Sequence, residues 1–128
     1  MKKIPLLTKI TFHISNIGLI LLYLYPGSII GWLIYGDFQK QAQITSDFSV
    51  ISSNHLFAFI ILSSLGVVSF TNEKIRILFI YLFFISIVLE FCHALIPERS
   101  FEYPDLFGNF FGVILIFISF NLYKFFKN

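Results

Sequence analysis

The stretch EFCHALIPERSFEYPDLFGNFFG, residues 90–112, decides how the chain is read. It places a carboxylate, Glu90, inside one hydrophobic run, then a short polar loop, then an amide, Asn109, inside the next run. Glu90, His93 and Pro97 stand at i, i+3 and i+7, so they share one face of a helix. Asp105, Asn109 and Gly112 stand at i, i+4 and i+7 and share a face of the following helix. A loop of about eight residues makes the two helices antiparallel neighbours, so the polar faces can meet. Pro97 ends the first of them, because it lacks a backbone donor and clashes with the preceding turn. Gly108 and Gly112 form a small-xxx-small pair that lets the two backbones approach closely.

Composition sets the surroundings of that stretch. Of 128 residues, 57% are hydrophobic and 12% charged, with a mean hydropathy of +0.84. A soluble domain carries roughly 25% charged residues. So few charges cannot cover a water-facing surface, and lipid must do the covering. Cys92 is the only cysteine, which excludes an intrachain disulfide and a cysteine-based metal site; it reads as a small buried hydrophobe. The formal charge of +2 comes without a basic stripe, so no nucleic-acid partner is expected.

The hydrophobic runs are long enough for helices and lack the alternating polarity of a barrel. They predict an all-α fold: one domain over residues 1–128, a four-helix transmembrane bundle with spans at about 10–27, 55–71, 77–96 and 106–123. Lys2, Lys3 and Lys9 precede the first run as in a signal peptide, but no small-residue cleavage site follows, so it reads as an uncleaved span. His13 is read as structural, and Asn16 and Gly18 as marking a face packed on other helices. Residues 29–35 are too few to cross; Trp32 and Tyr35 suit a short interfacial helix. Residues 37–54 read as an aqueous loop, with Ser52, Ser53 and Asn54 offering helix caps, and residues 71–76 as a tight polar turn. Lys2, Lys3, Lys9, Lys74, Arg76, Lys124 and Lys127 fall on one side and only Lys40 and Arg99 on the other. Seven against two predicts a multi-pass protein of the cytoplasmic membrane with both termini cytoplasmic.

Glu90 to Gly112 resembles the VanZ-like family of small integral membrane proteins. That family's pattern is Glu-x-x-Gln-x-x-x-Pro-x-Arg, then Asp-x-x-x-Asn-x-x-Gly after a short loop. Glu90, Pro97, Arg99, Asp105, Asn109 and Gly112 fall on those positions without a gap, and Ser100, Phe101 and Glu102 match a common form of the loop. His93 stands where glutamine is usual and swaps a neutral amide for a group that titrates near neutral pH. A weaker match sets His55-Leu56-Phe57-Ala58-Phe59 beside the family's His-Phe-x-x-Phe opening of the second span, without the Asp-Lys pair that usually precedes it. The resemblance implies a cell-envelope protein, linked by its family's name to glycopeptide (teicoplanin) resistance, with no established reaction attached.

A carboxylate inside a membrane helix must be protonated, paired or in a wet cavity. Arg99 is the expected partner of Glu90, with Asp105 competing for it. Two uses of the cluster stand side by side. In one it is a structural clamp within an accessory subunit of a larger membrane complex, whose partners are other membrane proteins. In the other it binds or processes a membrane lipid or lipid-linked envelope precursor. There, Arg99, His93, Asn109 and His55 would hold the headgroup, and Glu90 and Asp105 would be the catalytic candidates. Glu90-x-x-His93 also repeats a metal-ligand spacing of helical bundles, with His55 and Asp105 able to complete a shell, but a single pair recurs by chance. Neither a metal nor another cofactor is assigned from sequence, and no phosphate-cradling loop, nucleophile elbow or H-E-x-x-H motif is present.

Overall fold

A computed structural model describes residues 6–70 and 72–128, with Asn72 and Glu73 described as backbone only. Among these residues the chain forms five helices and no strand. They are α1 (Leu6–Leu24), α2 (Ile29–Tyr35), α3 (Ser53–Ser69), α4 (Asn72–His93) and α5 (Tyr103–Lys127). The fold is the expected helical bundle, four long helices with a short one after the first. Helices α1, α4 and α5 are long and apolar enough to cross a membrane. Helix α3 has 17 residues, about 25 Å at a helical rise of 1.5 Å per residue.

The inward stripe of α4 is Ile75, Leu78, Phe79, Leu82, Ile85 and Leu89, a run of threes and fours that keeps one face buried. It meets Phe59 and Leu62 of α3, Phe12 and Tyr23 of α1, and Val113 of α5. The outward faces stay apolar. Ile14, Leu21, Ile61, Ile80, Phe84, Phe125 and Phe126 are all exposed, which is the surface that lipid covers.

Side-chain contacts fix the directions. Ser69 Oγ donates to the Thr8 carbonyl at one end while Tyr23 meets His55 at the other, so α1 and α3 are antiparallel. Asn16 pairs with Tyr81, and Tyr23 stacks on His93, so α1 runs parallel to α4. Phe79 meets Phe117 and Ser86 meets Asn109, so α4 and α5 are antiparallel.

Several boundaries differ from the sequence reading. Helix α1 begins by Leu6 and stops at Leu24, ahead of Pro26 and of Gly27 at φ 113°. Residues 72–76, read as part of a polar turn, already form the first turns of α4; Thr71, Lys2 and Lys3 lie outside the described residues. The last turn of α4 tightens: Ala94 N–H bonds to Phe91 O at 3.1 Å and Leu95 N–H to Cys92 O at 3.0 Å. The helix therefore ends at His93 rather than Ile96, and Glu90 lies in its final turn. Helix α5 starts at Tyr103, with Pro104 in its first turn where a missing N–H is harmless.

Two packing readings also change. The Gly108 and Gly112 face lies on α3, not on α4. A Cβ on Gly108 would fall 2.6 Å from Ser52 O, and one on Gly112 would fall 2.7 Å from Leu56 O. Gly18 has nothing within 4 Å of such a Cβ, so it marks no packed face, whereas Asn16 does. Because the neighbour of Gly112 is backbone, it cannot yield. Gly112→Ala is expected to lower stability by about 1–3 kcal/mol in detergent unfolding, as overpacking does. Gly18→Ala, in open space within a helix, is expected to be neutral or stabilising by about 0.5–1 kcal/mol.

Candidate functional site

The polar site continues the buried stripe of α4 by one more turn. After Leu82 the polar residues among the inward positions are Ser86, Glu90 and His93, all buried, with Ser86 and Glu90 fully so. Asn109 of α5 is also fully buried beside them. Its Nδ2 donates to the Ser86 carbonyl at 3.1 Å, which orients Oδ1 toward α1 and α3. The Tyr23 hydroxyl donates to that Oδ1 in a short bond, and His55 Nδ1 lies 3.0 Å from the same oxygen and 2.8 Å from the phenol oxygen. One amide thus ties together α1, α3, α4 and α5.

Glu90 is satisfied differently from the expectation. Its Oε1 accepts the Glu102 backbone N–H at 3.0 Å, at the residue preceding α5. Its Oε2 lies 3.2 Å from His93 Nδ1 and is buried with no hydrogen-bond partner, which leaves a lone pair of Oε2 open. His93 is anchored on its other nitrogen, with Nε2 3.0 Å from the Tyr23 carbonyl, and its ring stacks on Tyr23 at 5.3 Å. Asp105, in the first turn of α5, meets His55 Nε2 at 3.5 Å.

Arg99 is not the partner of Glu90. Its Nη2 donates to Leu22 O at 2.9 Å, its Nε to Tyr25 O at 3.4 Å, and its Nη1 to Gln41 Oε1 at 3.5 Å. Among the described residues, no carboxylate lies within ion-pair distance of its guanidinium. Burial lowers the Arg99 pKa from its usual value, opposed by Tyr23, Asp105 and Glu90, and the group stays a cation. The neutral oxygens of the α1 C-terminus hold it because the polar loop brings it across that end of the bundle. It is a half-desolvated positive charge without a counter-ion in contact.

That charge stands at a cavity of about 350 Å³. Its polar wall includes Tyr23, His55, His93, Arg99, Asn54 and Gln41; its apolar wall includes Leu19, Leu22, Ile29, Ile30, Phe57 and Ile61. Residues 37–52 close one side as an ordered loop, not a loose one. Asp47 Oδ1 accepts Ser53 N–H at 3.1 Å, so the α3 cap comes from the loop and not from the Ser52 side chain. Asn54 Nδ2 donates to Ala42 O at 2.8 Å, and Thr45 N–H to Asn54 Oδ1 at 3.1 Å. The loop also crosses α2 where Gly31 leaves room for Lys40 O; any Cβ there would collide with that carbonyl.

The sequence-derived residues therefore separate into two groups. His55, His93 and Arg99 line the cavity. Glu90, Asp105 and Asn109 do not, and reach it only through Tyr23, His55 and His93. Tyr23 was missed, yet it is the residue that joins both groups. Its signal was available: it stands at i+7 from Asn16, on the same face of α1. Gln41 and Asn54 gave no comparable signal, since their place depends on how the loop folds back.

Comparison with protein-family models, with curated proteins and with solved structures finds no match for this chain.

Proposed function

We propose that this chain is a VanZ-like membrane protein of the cell envelope that binds an anionic amphipath, a lipid or lipid-linked precursor, in the cavity beside Arg99. The observation that carries the reading is the Arg99 guanidinium, held on carbonyl oxygens at the rim of a half-apolar cavity and contacting no carboxylate. A phosphate or carboxylate supplies the missing bidentate partner. Leu19, Leu22, Ile29, Ile30 and Ile61 supply a wall for the hydrocarbon next to it. The VanZ-like positions Glu90, Asp105 and Asn109 support the reading indirectly, by holding Tyr23 and His55 in the cavity wall. Because Glu90 and Asp105 do not face the cavity, the geometry favours binding over catalysis by these carboxylates.

The placement of charge supports a multi-pass protein with the cavity at the outer face of the cytoplasmic membrane. Lys9, Lys74, Arg76, Lys124 and Lys127 lie at the bundle end opposite the cavity, and Lys2 and Lys3 precede that end in sequence. The positive end is the cytoplasmic one by the usual bias. Helix α3 then crosses with help from the adjoining polar cap region, and α2 lies at the interface.

Thermal unfolding in nanodiscs tests the ligand class. Phosphatidylglycerol is expected to stabilise the wild-type protein over phosphatidylcholine, and Arg99→Gln to erase that preference, beyond the loss that removing its bonds to Leu22 O and Tyr25 O causes equally in both lipids. Equal stability in both lipids would remove the anionic headgroup from the account. Copurification of a protein partner in place of lipid would favour the accessory-subunit reading.

A further inference from the structure

We propose that His55, Glu90 and Asp105 form a binding site for one first-row divalent metal ion. One ligand atom from each of the three lies within 4.8 Å of the others. They come from three elements, α3, α4 and α5, whose packing brings them together at one end of the bundle. The set is not the Glu90–His93 pair that helical spacing suggested. His93 directs Nε2 to the Tyr23 carbonyl and stays behind Glu90 as a supporting residue.

Three observations point to a cation rather than to a self-contained polar cluster. First, Glu90 Oε2 is completely buried and makes no hydrogen bond. His93 Nδ1 lies 3.2 Å from it without bonding to it, so the buried oxygen keeps a lone pair that a cation can take. Second, the tautomer of His55 is set from behind. Asn109 is oriented by Ser86, and its Oδ1 can only accept; with Tyr23 donating to that oxygen, His55 Nδ1 carries the proton. The lone pair of neutral His55 is then on Nε2, and it faces Asp105 Oδ2 at 3.5 Å. A lone pair opposite a carboxylate oxygen is repulsive, and a proton or a metal ion between them reverses the sign. A hydrogen bond to the non-ligating nitrogen is also the usual support of a ligating histidine. Third, one of the three separations already fits, and the other two are within 4.8 Å. Two ligands at about 2.0–2.2 Å from a tetrahedral ion stand about 3.3–3.6 Å apart, which is the His55–Asp105 distance.

The charges fit as well. Two carboxylates and one neutral imidazole balance a divalent ion, so the loaded site is neutral where the dielectric is low. Glu90 Oε1 keeps its bond to the Glu102 N–H, leaving Oε2 for the metal. One nitrogen and two oxygens suit zinc or manganese better than a calcium ion, which takes six to eight oxygens. Three protein ligands leave at least one coordination position open.

The test uses the full chain, purified in detergent and stripped with a chelator, titrated calorimetrically with zinc and separately with manganese. The expected result is one ion per chain for at least one of the two metals. His55→Gln and Asp105→Asn are expected to weaken it at least tenfold; both side chains are about a fifth exposed and should be tolerated. Asp37→Asn, on an exposed turn, should leave it unchanged, as should Arg99→Gln, so this proposal and the ligand proposal fail separately. X-ray absorption of the loaded wild-type protein gives a second readout that needs no variant, with one imidazole among oxygen ligands expected. Absence of stoichiometric binding by either metal, binding that survives both substitutions, or a shell without imidazole overturns the proposal.

Discussion

Glu90→Ala is expected to lower unfolding free energy by about 3–5 kcal/mol, which combines an orphaned buried N–H at about 1–3 kcal/mol with the cavity left by a fully buried side chain. Glu90 is fully buried, and its two oxygens face different elements. Oε1 holds the Glu102 N–H where the chain enters α5, and Oε2 sits 3.2 Å from His93 Nδ1. Alanine leaves the N–H without its acceptor and His93 beside a void. Glu90→Gln keeps an acceptor oxygen for Glu102 and is expected to cost about 1–3 kcal/mol, the range for one orphaned polar group. The contrast between the two substitutions is the informative quantity, read from detergent unfolding curves with helix content as the signal. Equal losses would mean that the Glu102 bond contributes nothing and that charge alone matters. A loss below about 1 kcal/mol for alanine would contradict the role of Glu90 as the buried acceptor of the Glu102 N–H.

Asn109→Ala should come next, at about 3–4 kcal/mol. The figure combines an orphaned buried group at about 1–3 kcal/mol with the cavity left by the amide. The Ser86 carbonyl loses its donor and the Tyr23 hydroxyl loses its acceptor, while the Tyr23–His55 contact at 2.8 Å survives. Tyr23→Phe removes only one arm and should cost about 1–2 kcal/mol. Because both act through the same amide, the double variant should lose less than the two single losses together. Full additivity would show that Tyr23 and Asn109 act independently, and the four-helix junction described above would not exist.

The helices were legible because each carries its signal locally. Glu90, His93, Asp105 and Asn109 stood on helix faces that spacing alone defines, and those faces do meet. The partners were not legible, because they depend on which helix lies across the gap. Gly108 and Gly112 announced a close contact, but a small-residue pair cannot say whether α3 or α4 fills it, and α3 does. Arg99 was assigned to Glu90 by charge. The backbone settled otherwise: the Glu102 N–H and His93 occupy Glu90 first, and the loop carries Arg99 to the carbonyls of Leu22 and Tyr25. Spacing joined Glu90 to His93 and left His55 and Asp105 as further candidates; the side chains whose ligand atoms gather within 4.8 Å of one another are His55, Glu90 and Asp105.

A buried network and an amphipathic cavity lie side by side, with Tyr23 and His55 belonging to both. On this account the network is the frame and the cavity is the working surface. Native mass spectrometry of the protein released from gentle detergent, wild type beside Arg99→Gln, tests that division most directly. The account predicts a retained anionic lipid or lipid-linked molecule on the wild type, lost from an Arg99→Gln variant of unchanged helix content. A wild-type protein carrying no small molecule, or one whose bound lipid survives in Arg99→Gln, would contradict it.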